Sequence, residues 1–337
     1  MTPQEIQLPI ESDLNQVRQL LEKELLLPQE LLTPTGERTV ESDLLRDVLK
    51  YLLTTHGKQL RMQLVLLAAA ICHGTNDKAR QTALALELLH TASLVHDDVV
   101  DESALRRGQQ SVQARWNNRI AVLAGDYLLS RVIAIIGELR NVKIWQVVAS
   151  LGQALARGEL NQLHANRSMW ISEDTYYQII SGKTASLFAA CMEAGAEASG
   201  ASRHQLTVLR SFGWNLGMCF QLKDDVLDYA DSEQLDKPTM NDLKEGNATL
   251  PLLISMERAP KEEADKIRLL AEQRPLTRTN EERIRSFVMR YEGVTYAYRK
   301  MSEYRAQGIH LLESTFHDSP VRRSLSALLD YAMQRSH

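Results

Sequence analysis

Cysteine is scarce in this sequence: the three present, Cys72, Cys191 and Cys219, sit in apolar helical stretches and share no CxxC spacing. This argues against a disulfide framework and predicts reduced core thiols in a cytoplasmic protein. Charge imbalance is also small, −4 from 39 Lys and Arg against 43 Asp and Glu, which leaves no footprint for nucleic acid. Long hydrophobic runs are missing too. The longest, Leu64 to Cys72, is too short to span a bilayer, and MTPQEIQLPIESDLNQ has neither a basic n-region nor an apolar h-region. Neither secretion nor a transmembrane segment is expected. No Pro/Ser/Gly-rich linker or composition break divides the 337 residues, so residues 1–337 are expected to form one large domain, although the length would permit two. Alternating β-branched stretches are scarce as well; nearly every segment carries the helical period, and the fold class is all-α.

Helix signals are frequent. Amphipathic helices are expected at about Ser12–Leu26 and Val40–Thr55, then an apolar one from Lys58 to Cys72 after the break at His56 and Gly57, which puts Lys58 and Arg61 on its first turn. Asn76 and Asp77 can cap a long helix that Gly108 stops near its end. Asn118–Leu139 and Val142–Asn166 read as bundle walls. Ser172 opens a helix through Ala198, and Ser202 with Gln205 forms a capping box for the next. The polar stretch DSEQLDKPTMNDLKEGNAT, 231–249, reads as a mobile lid, and further helices follow from Leu250, the last starting at Ser319 and Pro320.

The stretch LHTASLVHDDVVDESALRRG, 89–108, breaks a local rule. Asp97, Asp98 and Asp101 stand at i, i+1 and i+4, so on a helix they project within about 100° of one another over roughly 6 Å of rise. Asp is a poor helix former, and negative charge near a helix C-terminus opposes the macrodipole. A divalent cation would compensate, and Mg²⁺ favours a few carboxylates with waters and substrate phosphate oxygens over a full protein cage. The pattern recurs 127 residues on (224 minus 97) as Asp224, Asp225 and Asp228. With Arg106, Arg107, Lys58, Arg61, Lys183 and Lys237 nearby in the motifs, the pattern suits more than one diphosphate. One would be held through Mg²⁺, the other directly by forked arginine contacts. Such a site favours departure of pyrophosphate, leaving a carbocation for a second substrate to attack.

Taken in order, GKQLR, LLHTASLVHDDVVDESALRRG, GDYLLS, SGKTASLF, FQLKDDVLDY and DKPTMNDLKEGNATLP resemble the trans-type polyprenyl diphosphate synthases, from about Gly57 to Pro251. The resemblance implies a single all-α bundle with a central cavity and a reaction that condenses isopentenyl diphosphate onto an allylic diphosphate by ionisation, attack and proton loss to released pyrophosphate. It implies that Asp97, Asp98, Asp101, Asp224, Asp225 and Asp228 hold several Mg²⁺ ions and the allylic diphosphate. Arg106, Lys183 and Lys237 would contact that diphosphate, with Thr184 and Gln221 beside it. Lys58, Arg61, His90 and Arg107 would bind isopentenyl diphosphate. A homodimer and peripheral membrane contact for product release are implied as well. In such enzymes bulky residues four or five positions before the first acidic motif block elongation; here Ser93 and Ala92 are small, which implies a medium- or long-chain product.

Three positions depart from the pattern: Met62 for a proline, Gln110 for the proline of RRGxP, and Asn247 for a lysine whose contact Lys244 is placed to replace. Other readings fare worse. SGKT, 181–184, imitates the end of a P-loop, but Tyr177 stands five before Gly182 and no strand precedes it. A di-iron bundle needs two ExxH motifs, and Glu87 with His90 supplies one. A terpene cyclase would replace the second aspartate motif, which is intact. A subunit of a heteromeric synthase is the remaining alternative. His96 is expected to be structural.

Overall fold

The computed structural model describes residues 1–26, 31–32, 38–39, 42–54, 57, 59–165, 169–230 and 239–335. Lys58, Lys237 and the first part of the expected lid, 231–238, lie outside them. The helices are α1 (Pro3–Gln7), α2 (Glu11–Leu26), α3 (Asp43–Thr54), α4 (Leu60–Cys72), α5 (Asp77–Val100), α6 (Val112–Arg115), α7 (Asn118–Glu138), α8 (Val142–Ala165) and α9 (Glu173–Ile180). They continue with α10 (Ser186–Ala198), α11 (Arg203–Asp228), α12 (Asn241–Glu245), α13 (Leu250–Arg258), α14 (Lys261–Ala271), α15 (Arg278–Arg290), α16 (Gly293–Thr315) and α17 (Pro320–Gln334). Among the described residues, strand is confined to two antiparallel pairs, β1 (Leu31–Leu32) with β2 (Arg38–Thr39) and β3 (Leu105–Arg106) with β4 (Gln109–Gln110). The class is all-α, as the periodicity predicts.

Contacts divide the chain into two compact units, residues 7–148 with 191–206 and residues 1–6 with 149–190 and 207–337. In the first, α5 packs on α2, α4 and α7. Helix α4 is apolar all round, with Met62 and Leu64 to Ala69 fully buried, the pattern of a helix enclosed by protein. Helix α5 buries Leu84, Leu86, Leu88, Leu89 and Val95. Each large apolar side chain so buried is worth about 1.5–3 kcal/mol, against about 0.3–1 kcal/mol for a charge set against the helix dipole. The apolar face therefore carries the acidic end. Asn76 caps this helix, its side chain accepting from the Ala79 N–H at 2.8 Å.

The helix ends earlier than Gly108. Val100 is its last residue, Asp101 its cap, and Gly108 instead forms a hairpin turn between β3 and β4. Likewise α4 starts at Leu60, so Arg61 alone of the expected pair is seen on its first turn. Helix α7 is long and apolar enough, by length and composition, to cross a membrane. Counting uninterrupted apolar residues missed it because Asp126 and Arg131 interrupt the run; Ala121, Ala124, Leu128, Val132 and Ile136 form its buried stripe. His96 is structural as expected, its Nε2 lying 3.2 Å from the Val122 carbonyl.

In the second unit, Ser172 caps α9 by accepting from the Thr175 N–H at 3.1 Å. The expected helix from Ser172 to Ala198 is interrupted by a π-helical turn, Ser181–Ala185, which inserts extra backbone between α9 and α10. Ser202 and Gln205 do form the capping box at the start of α11, with bonds of 2.9 and 3.2 Å. The described part of the expected lid, 239–249, is packed: Met240 and Leu243 are fully buried, and two of its amides bond Asp228. Burial pushes the Cys191 and Cys219 thiols up to about 12 and Cys72 to about 11, which suits inert core residues.

Candidate active site in two clusters

The first cluster lies at the end of α5. Asp98 is 3% exposed, and its Oδ1 accepts from Nε of Arg106 at 2.8 Å and from a second nitrogen of the same guanidinium. Asp97 is half-buried and Asp101 exposed, with the Asp101 N–H closing on the Asp97 carbonyl at 2.8 Å. The β3–β4 hairpin then sends neighbouring arginines to different places. Arg107 and Gly108 both have positive φ, 52° and 78°, the geometry of a mirror-image two-residue turn. Arg106 in the strand pairs with Asp98. Arg107 at the turn lies against Gly57, where an added Cβ would come within 2.6 Å of its guanidinium carbon, so Gly57 is there for close approach.

A cavity in the same unit is lined by Glu87, His90, Asp98, Arg106 and Arg107, with Tyr51 among its walls. Burial, followed by the positive charges of Arg61, Arg107 and Arg106, pushes His90 well below the usual histidine range. His90 is therefore a neutral imidazole. Burial also lowers Arg107, an effect that the charge of Glu87 opposes. The sequence signal for Glu87 was its place one helical turn before His90. Ala92 is fully buried, and Ser93 donates its hydroxyl to the His90 carbonyl at 2.9 Å.

The second cluster ends α11 and is more deeply set. Asp225 is 1% exposed; it accepts from the Tyr176 hydroxyl and from the Gln221 amide at 2.8 Å, while Gln221 accepts from the Thr184 hydroxyl at 2.7 Å. Burial, with help from the charges of Asp224 and Asp228, raises the Asp225 carboxyl to about 7. Asp228 accepts from the Asn241 and Asp242 amides at 2.8 and 3.3 Å, and burial raises it too. Asp224 is 45% exposed and pairs with Arg335 at 2.7 Å. Asp242, half-buried, is pushed well above the carboxylate range, first by desolvation and then by the charges of Asp225 and Asp228.

Lys183 sits on the π turn and pairs with Glu159 at 2.9 Å and the Gln162 side-chain oxygen at 2.9 Å. It lines a cavity with Thr184, Gln221, Asp225, Asp242 and Asn247. Lys244 does not take over from Asn247 there: it pairs with Glu281 at 2.9 Å and donates to the Thr239 carbonyl. Tyr176, Asp242, Glu159 and Arg335 were not singled out from sequence. Tyr176 alone had a usable signal, standing two helical turns before Lys183.

The chain has known relatives along most of its length. The polyprenyl synthetase family model matches residues 42–288. The chain is 36% identical over 294 residues to an all-trans-nonaprenyl-diphosphate synthase (geranyl-diphosphate specific) of Rhodobacter capsulatus, covering 87% of this chain and 89% of that one. It is 35% identical to heptaprenyl diphosphate synthase component 2 of Geobacillus stearothermophilus, over 88% of this chain and 91% of the other. A crystal structure of a Caulobacter crescentus polyprenyl synthase complexed with calcium and isoprenyl diphosphate superimposes with TM-score 0.87 at 31% identity, covering 100% and 98% of the two chains. The chain belongs to the polyprenyl synthetase family. It is a polyprenyl diphosphate synthase, a prenyltransferase.

Proposed function

We propose that this synthase extends an allylic diphosphate with isopentenyl diphosphate, with Mg²⁺ as its metal and a medium- or long-chain trans-polyprenyl diphosphate as product. The observation that carries the reading is the second cluster, where Asp224, Asp225, Asp228 and Asp242 crowd until burial and mutual repulsion lift the Asp225 carboxyl to about 7. Such a set of hard oxygen donors calls for cations. The bound metal would neutralise charge developing on departing pyrophosphate.

The residues divide the remaining work. Asp97, Asp98, Asp101, Asp224, Asp225 and Asp228 would hold the metal and the allylic diphosphate, with Arg106, Lys183 and Lys237 on its oxygens and Thr184 and Gln221 keeping the pocket polar. Arg61, Lys58 and Arg107 would bind the second diphosphate, and neutral His90 would donate a hydrogen bond without adding to the positive field. Released pyrophosphate would take the proton. Ala92 and Ser93, being small, would let the product grow past the start of the acidic motif. We place both units in one synthase domain, since the family match draws on each.

We also propose a homodimer: Val122, Leu123 and Ile133 on α7 and Trp145 at the start of α8 are exposed apolar side chains that a second copy would cover. Free cysteines suit the cytoplasm, with peripheral membrane contact for releasing so apolar a product. The test is incubation of the purified chain with labelled isopentenyl diphosphate, allylic primers of several lengths and Mg²⁺, followed by sizing of products. Elongation that chelation abolishes is expected; no elongation from any primer would overturn the proposal. Turnover by the isolated chain would also exclude an obligate heteromeric subunit.

A further inference from the structure

We infer that Arg335, just past the end of α17, is the positioning residue for Asp224 and so a determinant of metal affinity in the second cluster. The inference rests on the reading of these aspartates as metal ligands. One guanidinium nitrogen of Arg335 lies 2.7 Å from Asp224 Oδ1 and donates to the Phe220 carbonyl, also at 2.7 Å. Its central carbon stands 3.7 Å from the centre of the Phe220 ring. The arginine side chain is 7% exposed, although the carboxylate it meets is 45% exposed. An exposed ion pair is worth little, because two solvated side chains must be ordered to form it. Here the cation has already been desolvated and fixed by a ring and a carbonyl, so the ordering cost is met before Asp224 is engaged.

The helix that carries it is packed: Leu325, Leu328 and Leu329 bury one face of α17. Each carboxylate of the aspartate motif then has its own holder: Tyr176 and Gln221 for Asp225, two backbone amides for Asp228, and Arg335 for Asp224. Arg335 engages Oδ1 and leaves Oδ2 for a cation. Outer partners of this kind orient ligating groups, and losing one costs about 10–100-fold in metal affinity. If the positive charge merely competed with the metal, its removal would tighten binding. The direction of the change therefore decides the matter.

The experiment titrates Mn²⁺ alone into the full chain and follows free Mn²⁺ by electron paramagnetic resonance. R335Q is expected to weaken binding by about 10-fold or more, and R335K to recover part of the loss. D224N with R335Q is expected to bind no more weakly than D224N alone, because the arginine acts through that carboxylate. Binding by R335Q that is unchanged or tighter, or losses that simply add in the double variant, would overturn the inference. Should R335Q fail to fold, R335K decides: binding as in the unsubstituted chain overturns it. Absence of Mn²⁺ binding by the unsubstituted chain would instead overturn the reading of the aspartates as ligands, a distinct outcome.

Discussion

The two aspartate clusters share a spacing but are built differently. At the first, Asp98 is held by Arg106, eight residues along the chain and brought round by a two-residue hairpin turn. At the second, the holders come from α9, from α12 and from beyond α17, the last 115 residues from the Phe220 carbonyl that it also bonds. The first is paired with a cation close at hand, while the second concentrates acids, Asp225 fully buried among them, whose carboxyls are lifted. One spacing thus produces a locally assembled site and one that exists only once distant helices have packed. Polar groups made in the second way are costlier to disturb, since each is desolvated and leaves its partner unsatisfied when removed.

The largest expected effect tests whether both clusters carry the chemistry. D98N and D225N should each lower kcat by about 10³-fold, since metal-borne charge stabilisation is worth several kcal/mol. A loss confined to one cluster in product-sizing assays would show that the other is only structural. Next come the holders. Y176F, which removes a hydrogen bond to a buried carboxylate worth roughly 1.5–3 kcal/mol, should cost about 10–100-fold in kcat/KM and lower the unfolding midpoint. R106K, at the more exposed pair, should cost activity but leave the unfolding midpoint nearly unchanged. Equal stability losses would erase the distinction between local and long-range construction.

Smaller changes sharpen it. A92F with S93F should shorten the product by one or more isoprene units with turnover retained; an unchanged product length would remove these positions from length control. The smallest effect is a missing titration. Burial and three arginines depress His90, so its ring resonance should not titrate near 6.5 by nuclear magnetic resonance. The stability contributed by keeping His90 neutral is fully present above about 6.5, the unfolded value, and is lost as pH falls from there toward the depressed folded value. An ordinary titration near 6.5 would refute the positive field around it.

Much of the helical framework was readable locally because its signals are local. Asn76, Ser172, Ser202 with Gln205, and Ser319 each cap the helix they precede, and hydrophobic period set the class. Three features were not readable this way. Gly108 looked like a helix stop because positive φ serves helix ends and hairpin turns alike, and choosing between them depends on the pairing of Leu105 with Gln110. The π turn at Ser181–Ala185 runs into α10, where Leu187 to Met192 are all buried, and so apolar a run has no clear phase to reveal an inserted residue. Arg335 and Asp242 acquire meaning only through packing that brings them to α11. The aspartate spacing named the candidate ligands, while the groups that orient them depended on tertiary structure.

The hairpin at Arg106–Gln109 has a consequence for how this enzyme can change. Arg106 is the last residue of β3 and Arg107 the first of the two-residue turn, so the pairing register fixes which arginine takes which place. The pair of arginines therefore behaves as a parity element. Inserting or deleting one residue between Asp101 and Gly108 would exchange their assignments, sending the wrong guanidinium to Asp98 while leaving composition and net charge almost untouched. Substitutions can be tolerated in this stretch one at a time, but its length is quantised. Variation in the loop should appear as replacements, with insertions and deletions selected against as strongly as loss of an aspartate.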